Sequence, residues 1–381
     1  MFRNKFPYFR NDNPIYFDNA STTQKPDLVI NEVQNYFKKA SNIGRSSYSL
    51  ANKTTEKIKK VRSKVANFIN SKQEEIIFTS GATQSLNMIP DLLRDNIKDG
   101  SSILISEDSH KSTHLPWIKL KKELAKSGKN IELIEYEVLP TGDPDINDIL
   151  NKADNSTFLI SLTHIHNVYG AKTEVKKLIN KLDKKQRDKP LISLDACQSI
   201  AHVPVDANKM NIDFLSFSGH KMFASTGCGI LYIDEKLHDK VKKHYLGGGI
   251  NKDCIPYKLE RGTLNVSGIL ALGKAIDFIQ NIGINKIKAR NLELTNYLIK
   301  NLDVNFSKGP AYSTCNKVGY GIISFTKRGV PAQDLSFILD SNDIFIRAGG
   351  HCSANENSTV RVSLQFYNTK EEIDTLTKII N

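Results

Sequence analysis

The stretch Ser216-Phe217-Ser218-Gly219-His220-Lys221 sits at the centre of this chain's logic. It runs from the end of an apolar segment into a tight turn built from small residues, a histidine and one lysine. A lysine in such a turn is poorly solvated, so its amine can lose a proton and attack a carbonyl. The hydroxyl and glycine positions beside it let backbone and side-chain donors close around an anion. Alone, the hexapeptide is weak evidence, because most turn lysines are simply solvated.

Outward from the turn, the pattern alternates. Strands are expected over 75–79, 102–106, 131–135, 157–163, 190–194, 212–217 and 229–233. Helices fall between them: 54–70, with Ile58, Val61, Val65 and Phe68 at helical spacing, a segment from Gly81 through about Leu93, then 115–127 and 173–183. This alternation predicts an α/β fold with a mostly parallel, seven-stranded sheet sandwiched by helices. In such sheets ligands sit beyond the C-terminal strand ends. Past residue 250 the character changes. Gly247-Gly248-Gly249 leads into a loop, helices over 267–282 and 285–301 follow, and segments 319–325, 331–341, 343–348 and 359–364 alternate strand and helix. The expected division is a large domain over 15–265 and a smaller α+β C-terminal domain over 266–381, joined by residues 1–14.

The length of 381 residues suits two domains, and 39% hydrophobic with 25% charged residues suits a soluble globular protein. Apolar runs such as Phe158–Leu162 are strand-length, far short of a membrane span. The N-terminus, Met1-Phe2-Arg3-Asn4-Lys5, lacks a secretory apolar core, which points to a cytoplasmic protein that does not bind membranes. Five scattered cysteines (Cys197, Cys228, Cys254, Cys315, Cys352) form no C-x-x-C pair, arguing against a disulfide framework or a metal site. The net charge of +12 comes largely from lysines interleaved with Glu and Asn, such as Lys119, Lys121, Lys122, Lys126 and Lys129. It describes a basic solvated surface rather than a nucleic-acid site.

Polar groups at the strand ends match the parts of one cofactor. Lys221 beside an anion cradle is what pyridoxal 5'-phosphate requires. Asp195, closing the apolar run Leu191–Leu194, can pair with a pyridinium nitrogen, and Gln198 can donate to a phenolic oxygen. Gly81-Ala82-Thr83, between a strand and a helix, offers amides and a hydroxyl to a phosphate, with Ser218 and His220 completing the cradle. His110, in Ser109-His110-Lys111, can stack on the ring and move protons. His164 and His166 read as structural, with Asn167 the better ligand candidate.

The ordered set of motifs carries a resemblance. Tyr16–Pro26, Thr79-Ser80-Gly81-Ala82-Thr83, Asp195–Ser199, Ser216–Lys221, Gly262-Thr263-Leu264-Asn265, Arg347–Cys352 and Arg361–Thr369 span most of the chain. Together they resemble the pyridoxal phosphate enzymes of fold type I in the class V aminotransferase family, and most of all the group II cysteine desulfurases and selenocysteine lyases. The resemblance implies that Lys221 carries the cofactor and afterwards moves the substrate's α-proton. It implies that Asp195, Gln198 and His110 hold the ring, and that Ala82, Thr83, Ser218 and His220 hold the phosphate. Thr263 would join them from the other subunit of a homodimer. Asn167 and Arg361 would bind the substrate carboxylate, Arg347 would lie near the substrate, and L-cysteine would be the substrate.

Cys352 separates the family's members. It lies in the short loop Arg347-Ala348-Gly349-Gly350-His351-Cys352, where a mobile thiol can reach a bound substrate and cationic neighbours would raise its thiolate fraction. In desulfurases such a cysteine takes the substrate's sulfur as a persulfide, leaves alanine, and passes the sulfur to an acceptor protein. Several residues depart from the pattern: Gly44, Tyr48 and Gly350 stand where histidines are usual, Leu264 where proline is, Cys197 where alanine is, Ala224-Ser225 where Gly-Pro is common, and Arg261 beside the phosphate threonine is unusual. Two alternatives follow. One is another class V enzyme (a selenocysteine lyase, an aminotransferase, an amino-acid lyase or epimerase) in which Cys352 is not the nucleophile. The other is a basic binding protein on a retired enzyme scaffold.

Overall fold

The computed structural model describes residues 2–11, 14–106, 108–185, 189–243, 245, 254–260, 262–308, 319–353 and 358–381. The glycine run Gly247–Gly249, Arg261 and Cys315 lie outside the described residues.

Seven strands form the central sheet: β1 (Ile76–Thr79), β2 (Ser102–Ser106), β3 (Glu132–Tyr136), β4 (Thr157–Thr163), β5 (Leu191–Asp195), β6 (Phe214–Ser218) and β7 (Gly229–Ile233). Their spatial order is β1-β7-β6-β5-β4-β2-β3. Strands β2 to β6 pair in parallel, and β7 runs antiparallel to both its neighbours. Helices cover both faces, so inner strands such as β2, β6 and β7 are buried along their whole length, while the edge strand β3 is half-wet. Alternate side chains feed two separate cores. Leu104, Ile160, Leu215 and Phe217 enter one; Ile103, Leu159, Phe214 and Leu231 enter the other.

Helix Val266–Ile282 begins at the expected domain boundary, yet its Ile269, Leu272, Ile276 and Ile279 pack in the first of those cores, as does Phe6. A third core, around Phe17, Leu294, Phe325, Leu339, Val362 and Ile373, lies under a four-stranded antiparallel sheet ordered Arg347–Gly349, Thr359–Ser363, Ile322–Thr326 and Asn305–Phe306. The expected strand 343–348 is two pieces. Ile344–Phe345 pairs in parallel with Ile15–Tyr16, and Arg347–Gly349 turns away to join the four-stranded sheet. The C-terminal helix Lys370–Ile380 is an addition to the expected elements, although its capping box is written in the chain: Thr369 Oγ1 accepts from Glu372 N at 3.2 Å, and Glu372 Oε2 accepts from Thr369 N at 3.0 Å.

Candidate functional site

Lys221 closes a single 3-10 turn, Gly219–Lys221, directly after β6. The turn is pinned from two sides. Gly219 N donates to Cys228 O at 2.8 Å, and a Cβ at residue 219 would stand only 3.1 Å from that oxygen, so glycine permits the approach. From the other side, the His220 carbonyl accepts from Thr23 N at 3.1 Å and from Lys25 Nζ at 3.0 Å. Burial pushes Lys25 down to about 7 and His220 down to about 4, so the His220 imidazole is neutral at physiological pH.

Asp195 ends β5 and is buried. Its Oδ1 accepts from Cys197 N at 2.9 Å and its Oδ2 from Thr113 Oγ1 at 3.2 Å, which fixes the carboxylate's plane. His110 caps helix Lys111–Lys126: its Nδ1 accepts from Ser112 N at 3.1 Å. Burial, opposed by Asp195, pulls His110 below its ordinary value, so the ring is neutral and carries its proton on Nε2. Gln198 donates through Nε2 to Ala20 O at 2.9 Å, tying the end of β5 to the N-terminal segment.

The residues expected to hold a phosphate meet where helix Ala82–Leu93 starts. Ala82 N donates to Ser218 Oγ at 2.8 Å, and the Thr83 and Ser112 hydroxyls lie 3.1 Å apart. A Cβ on Gly229 would fall 2.5 Å from Gly81 Cα, so the loop and β7 can touch only through glycine.

Two arginines line the same pocket. Arg361 is 2% exposed. Its Nη1 donates to Asn167 O at 3.0 Å, and its Nη2 to Asp18 Oδ1 at 3.1 Å and Ser21 Oγ at 2.9 Å. Arg347 donates through Nη1 to Ser21 Oγ at 3.1 Å and through Nη2 to Cys352 Sγ at 3.2 Å. The thiol itself is exposed. Its loop is held by Lys111 N, which donates to Cys352 O at 2.8 Å, and by Ser353 Oγ, which donates to Asp108 O at 2.8 Å.

One pocket collects nearly every residue singled out from sequence: Ala82, Thr83, His110, Asn167, Asp195, Gln198, Ser218, His220, Lys221, Arg347 and Arg361 all line it. Thr263 and Cys352 do not. Thr263 is exposed, and Cys352 stands at the pocket's edge, next in chain to His351 and in contact with Arg347. The pocket also takes in Cys197, one of the departures from the family pattern, and Ala20, Ser21, Thr163 and His351, to which sequence reasoning gave no role there. Ala20, Ser21 and His351 had a signal, since they lie inside quoted motifs; Thr163 had none. His164 and His166 are buried and do not line it; His166 stacks on Tyr169 at 4.3 Å between ring centroids.

Among the described residues, Thr163 Oγ1, Asn167 Oδ1, His220 Nδ1, His351 Nδ1 and Arg361 Nε are buried without a hydrogen-bond partner, and all five residues line this pocket. Unpaired buried polar atoms are costly, and their convergence on one cavity fits a polar guest with anionic ends. Pyridoxal phosphate, with a phosphate at the cradle and an amino-acid carboxylate at Arg361, is such a guest.

Residues 15–376 match the family Aminotransferase class-V. The chain belongs to that family. Within it, the similarity is to cysteine desulfurases, whose cofactor is pyridoxal phosphate. A cysteine desulfurase from Wigglesworthia glossinidia brevipalpis is 33% identical over 99% of this chain and 95% of its own length. The apo structure of a cysteine desulfurase from Thermococcus onnurineus superposes with a TM-score of 0.91 at 31% identity, covering 99% of this chain and 96% of that one. The cysteine desulfurase CsdA from Escherichia coli gives 0.87 at 25% identity, covering 100% and 96%. The mostly parallel seven-stranded sheet expected from the strand pattern is the observed one, and the likeness to cysteine desulfurase structures bears out the fold type I class that the resemblance implies.

Proposed function

We propose that this chain is a pyridoxal-phosphate-dependent cysteine desulfurase, converting L-cysteine to L-alanine and holding the released sulfur as a persulfide on Cys352. The observation that carries this reading is the Arg347–Cys352 contact at the edge of the Lys221 pocket. It supports a thiol acting beside a lysine, the residues proposed for a phosphate and the arginine proposed for a carboxylate.

Lys221 and Asp195 would hold the cofactor, which when bound supplies the carbonyl for Lys221 and the electron sink for carbon acidity. Ala82, Thr83, Ser218 and His220 would take its phosphate, and His110 and Gln198 would flank the ring. Arg361 and Asn167 would orient the substrate carboxylate, a task the planar guanidinium fork suits. The freed Lys221 amine would carry the α-proton. Cys352 Sγ would attack the substrate's sulfur: a sulfur–sulfur bond forms as the substrate's carbon–sulfur bond breaks. The electron pair stays with the carbon fragment, which gains a proton at Cβ to become alanine.

Thr263, exposed and outside its own pocket, supports a homodimer in which each subunit completes the other's phosphate site. The exposed position of Cys352 supports delivery of sulfur to an acceptor protein in the cytoplasm. Among the described residues no helix is long and apolar enough to cross a membrane.

The test is direct. Cofactor-loaded protein is incubated with L-cysteine, alanine is quantified, and Cys352 is examined by mass spectrometry for an added sulfur. Loaded protein that yields neither alanine nor persulfide overturns the proposal.

A further inference from the structure

Arg347 and Arg361 stand directly opposite each other where the strands Arg347–Gly349 and Thr359–Ser363 pair in antiparallel. Like charges in that register repel, and water cannot reach Arg361 to screen it. Asp18 Oδ1 takes Arg361 at 3.1 Å. Between the two guanidiniums lies one hydroxyl. Ser21 Oγ accepts from Arg347 Nη1 at 3.1 Å and from Arg361 Nη2 at 2.9 Å, and donates its proton to Asp18 Oδ1 at 2.7 Å. A hydroxyl has one proton and two lone pairs, so these three bonds use Ser21 completely and leave nothing for a substrate. The turn that carries it is rigid: Ser21 N donates to Asp18 O at 3.1 Å, and Ala20 N to Ser363 Oγ at 2.8 Å.

We infer that Ser21 is a positioning residue whose single hydroxyl sets both the arginine that receives the substrate carboxylate and the arginine that holds the Cys352 thiol. The inference rests on the desulfurase reading for the meaning of the two ends, but the linkage is a property of the chain. Removing the hydroxyl leaves Arg361 with Asp18 Oδ1 and the Asn167 carbonyl, and Arg347 with the Cys352 thiol, so the one acceptor the two guanidiniums share is gone. The opposed guanidiniums then shift against each other, and the two ends lose their registration together.

The experiment compares cofactor-loaded wild type with Ser21→Ala and Ser21→Thr. The thiol end is read as the rate at which iodoacetamide alkylates Cys352, followed on the Cys352 peptide by mass spectrometry. The carboxylate end is read as the apparent Kd for L-alanine, from the change in visible cofactor absorbance on titration. The expected result is that S21A changes the alkylation rate at least about threefold and weakens L-alanine about tenfold, equivalent to one lost hydrogen bond. Free-enzyme absorbance stays unchanged, and S21T returns both readouts toward wild type. If neither readout moves, if only one moves, or if folded S21T fails to restore them, the inference is overturned. Should S21A not fold, the near-isosteric pair Ser21→Thr and Ser21→Val puts the same question with the same outcomes. Neither readout requires turnover, so a wild-type protein that forms no alanine from L-cysteine counts against the desulfurase reading and leaves this test intact.

Discussion

The side-chain amide of Asn167 donates to the backbone carbonyl of His351 at 3.0 Å, one residue before the thiol of Cys352. His351 and Cys352 both sit at positive φ, 52° and 59°, a conformation that side-chain-bearing residues rarely adopt in succession. The loop is therefore held in shape by its contacts, and Asn167 makes one of them from inside the pocket. Replacing Asn167 with Ala removes a buried hydrogen bond of about 1–3 kcal/mol. The expected outcome is faster iodoacetamide labelling of Cys352 together with a kcat/KM for L-cysteine reduced by about tenfold or more. Unchanged labelling in a folded, loaded variant would show that the loop holds itself.

Substitution at the two reactive residues separates cofactor chemistry from sulfur chemistry. Cys352→Ala is expected to keep the yellow colour of the loaded protein and to form no persulfide, with alanine production falling at least about a hundredfold, as for loss of a central catalytic group. Lys221→Ala is expected to lose the absorbance band of the bound cofactor after dialysis. A C352A enzyme that makes alanine from L-cysteine at the wild-type rate would assign the thiol a packing role.

The contact between Gly229 and Gly81 makes a backbone prediction. A methyl group at residue 229 would press within 2.5 Å of Gly81 Cα, and the loop proposed to hold the phosphate has to move. Gly229→Ala should cost about 1–3 kcal/mol of stability, in the range of other overpacked sites. It should also raise the apparent Kd for pyridoxal phosphate in a fluorescence titration. Wild-type affinity in this variant would show that the cradle tolerates the shift.

Four buried histidines and the half-buried His220 set the response to acid. Burial holds His164 and His351 at about 3 and His166, His202 and His220 at about 4, all below the ordinary 6.5. Below pH 6.5 the unfolded chain takes up protons at these sites while the native protein does not, so ν for the unfolded state exceeds ν for the native state only on the acid side. Stability should be at its full value above pH 6.5 and fall as the pH drops toward about 4. Urea midpoints measured between pH 7.5 and 5 would show the decline, and His202→Gln should make it shallower. A midpoint that stays level or rises over that interval would contradict the assignment.

Much of this was legible from residue order alone. Inner strands such as β2 and β6 are buried on both faces, so they appear as short apolar runs, and the turn residues after them mark the strand ends where ligands collect. Lys221, Asp195 and Thr83 could be placed in one pocket for that reason. The C-terminal helix could have been found too, from the Thr369–Glu372 capping box. The double role of residues 343–349 could not, because which sheet each short piece joins depends on partners far away in sequence.

What the sequence determined by itself was the alternating fold and the chemical inventory of the site, since hydrophobic period and residue type are local properties. What only the tertiary structure decided was connection. Ser21 lies 326 residues from Arg347, and no spacing rule links them. They meet because Ile15–Tyr16 pairs with Ile344–Phe345, which delivers the Asp18–Ser21 turn to the cross-strand pair Arg347 and Arg361. That pairing gathers two like charges around one hydroxyl and ties the thiol of Cys352 to the place where a substrate carboxylate would bind.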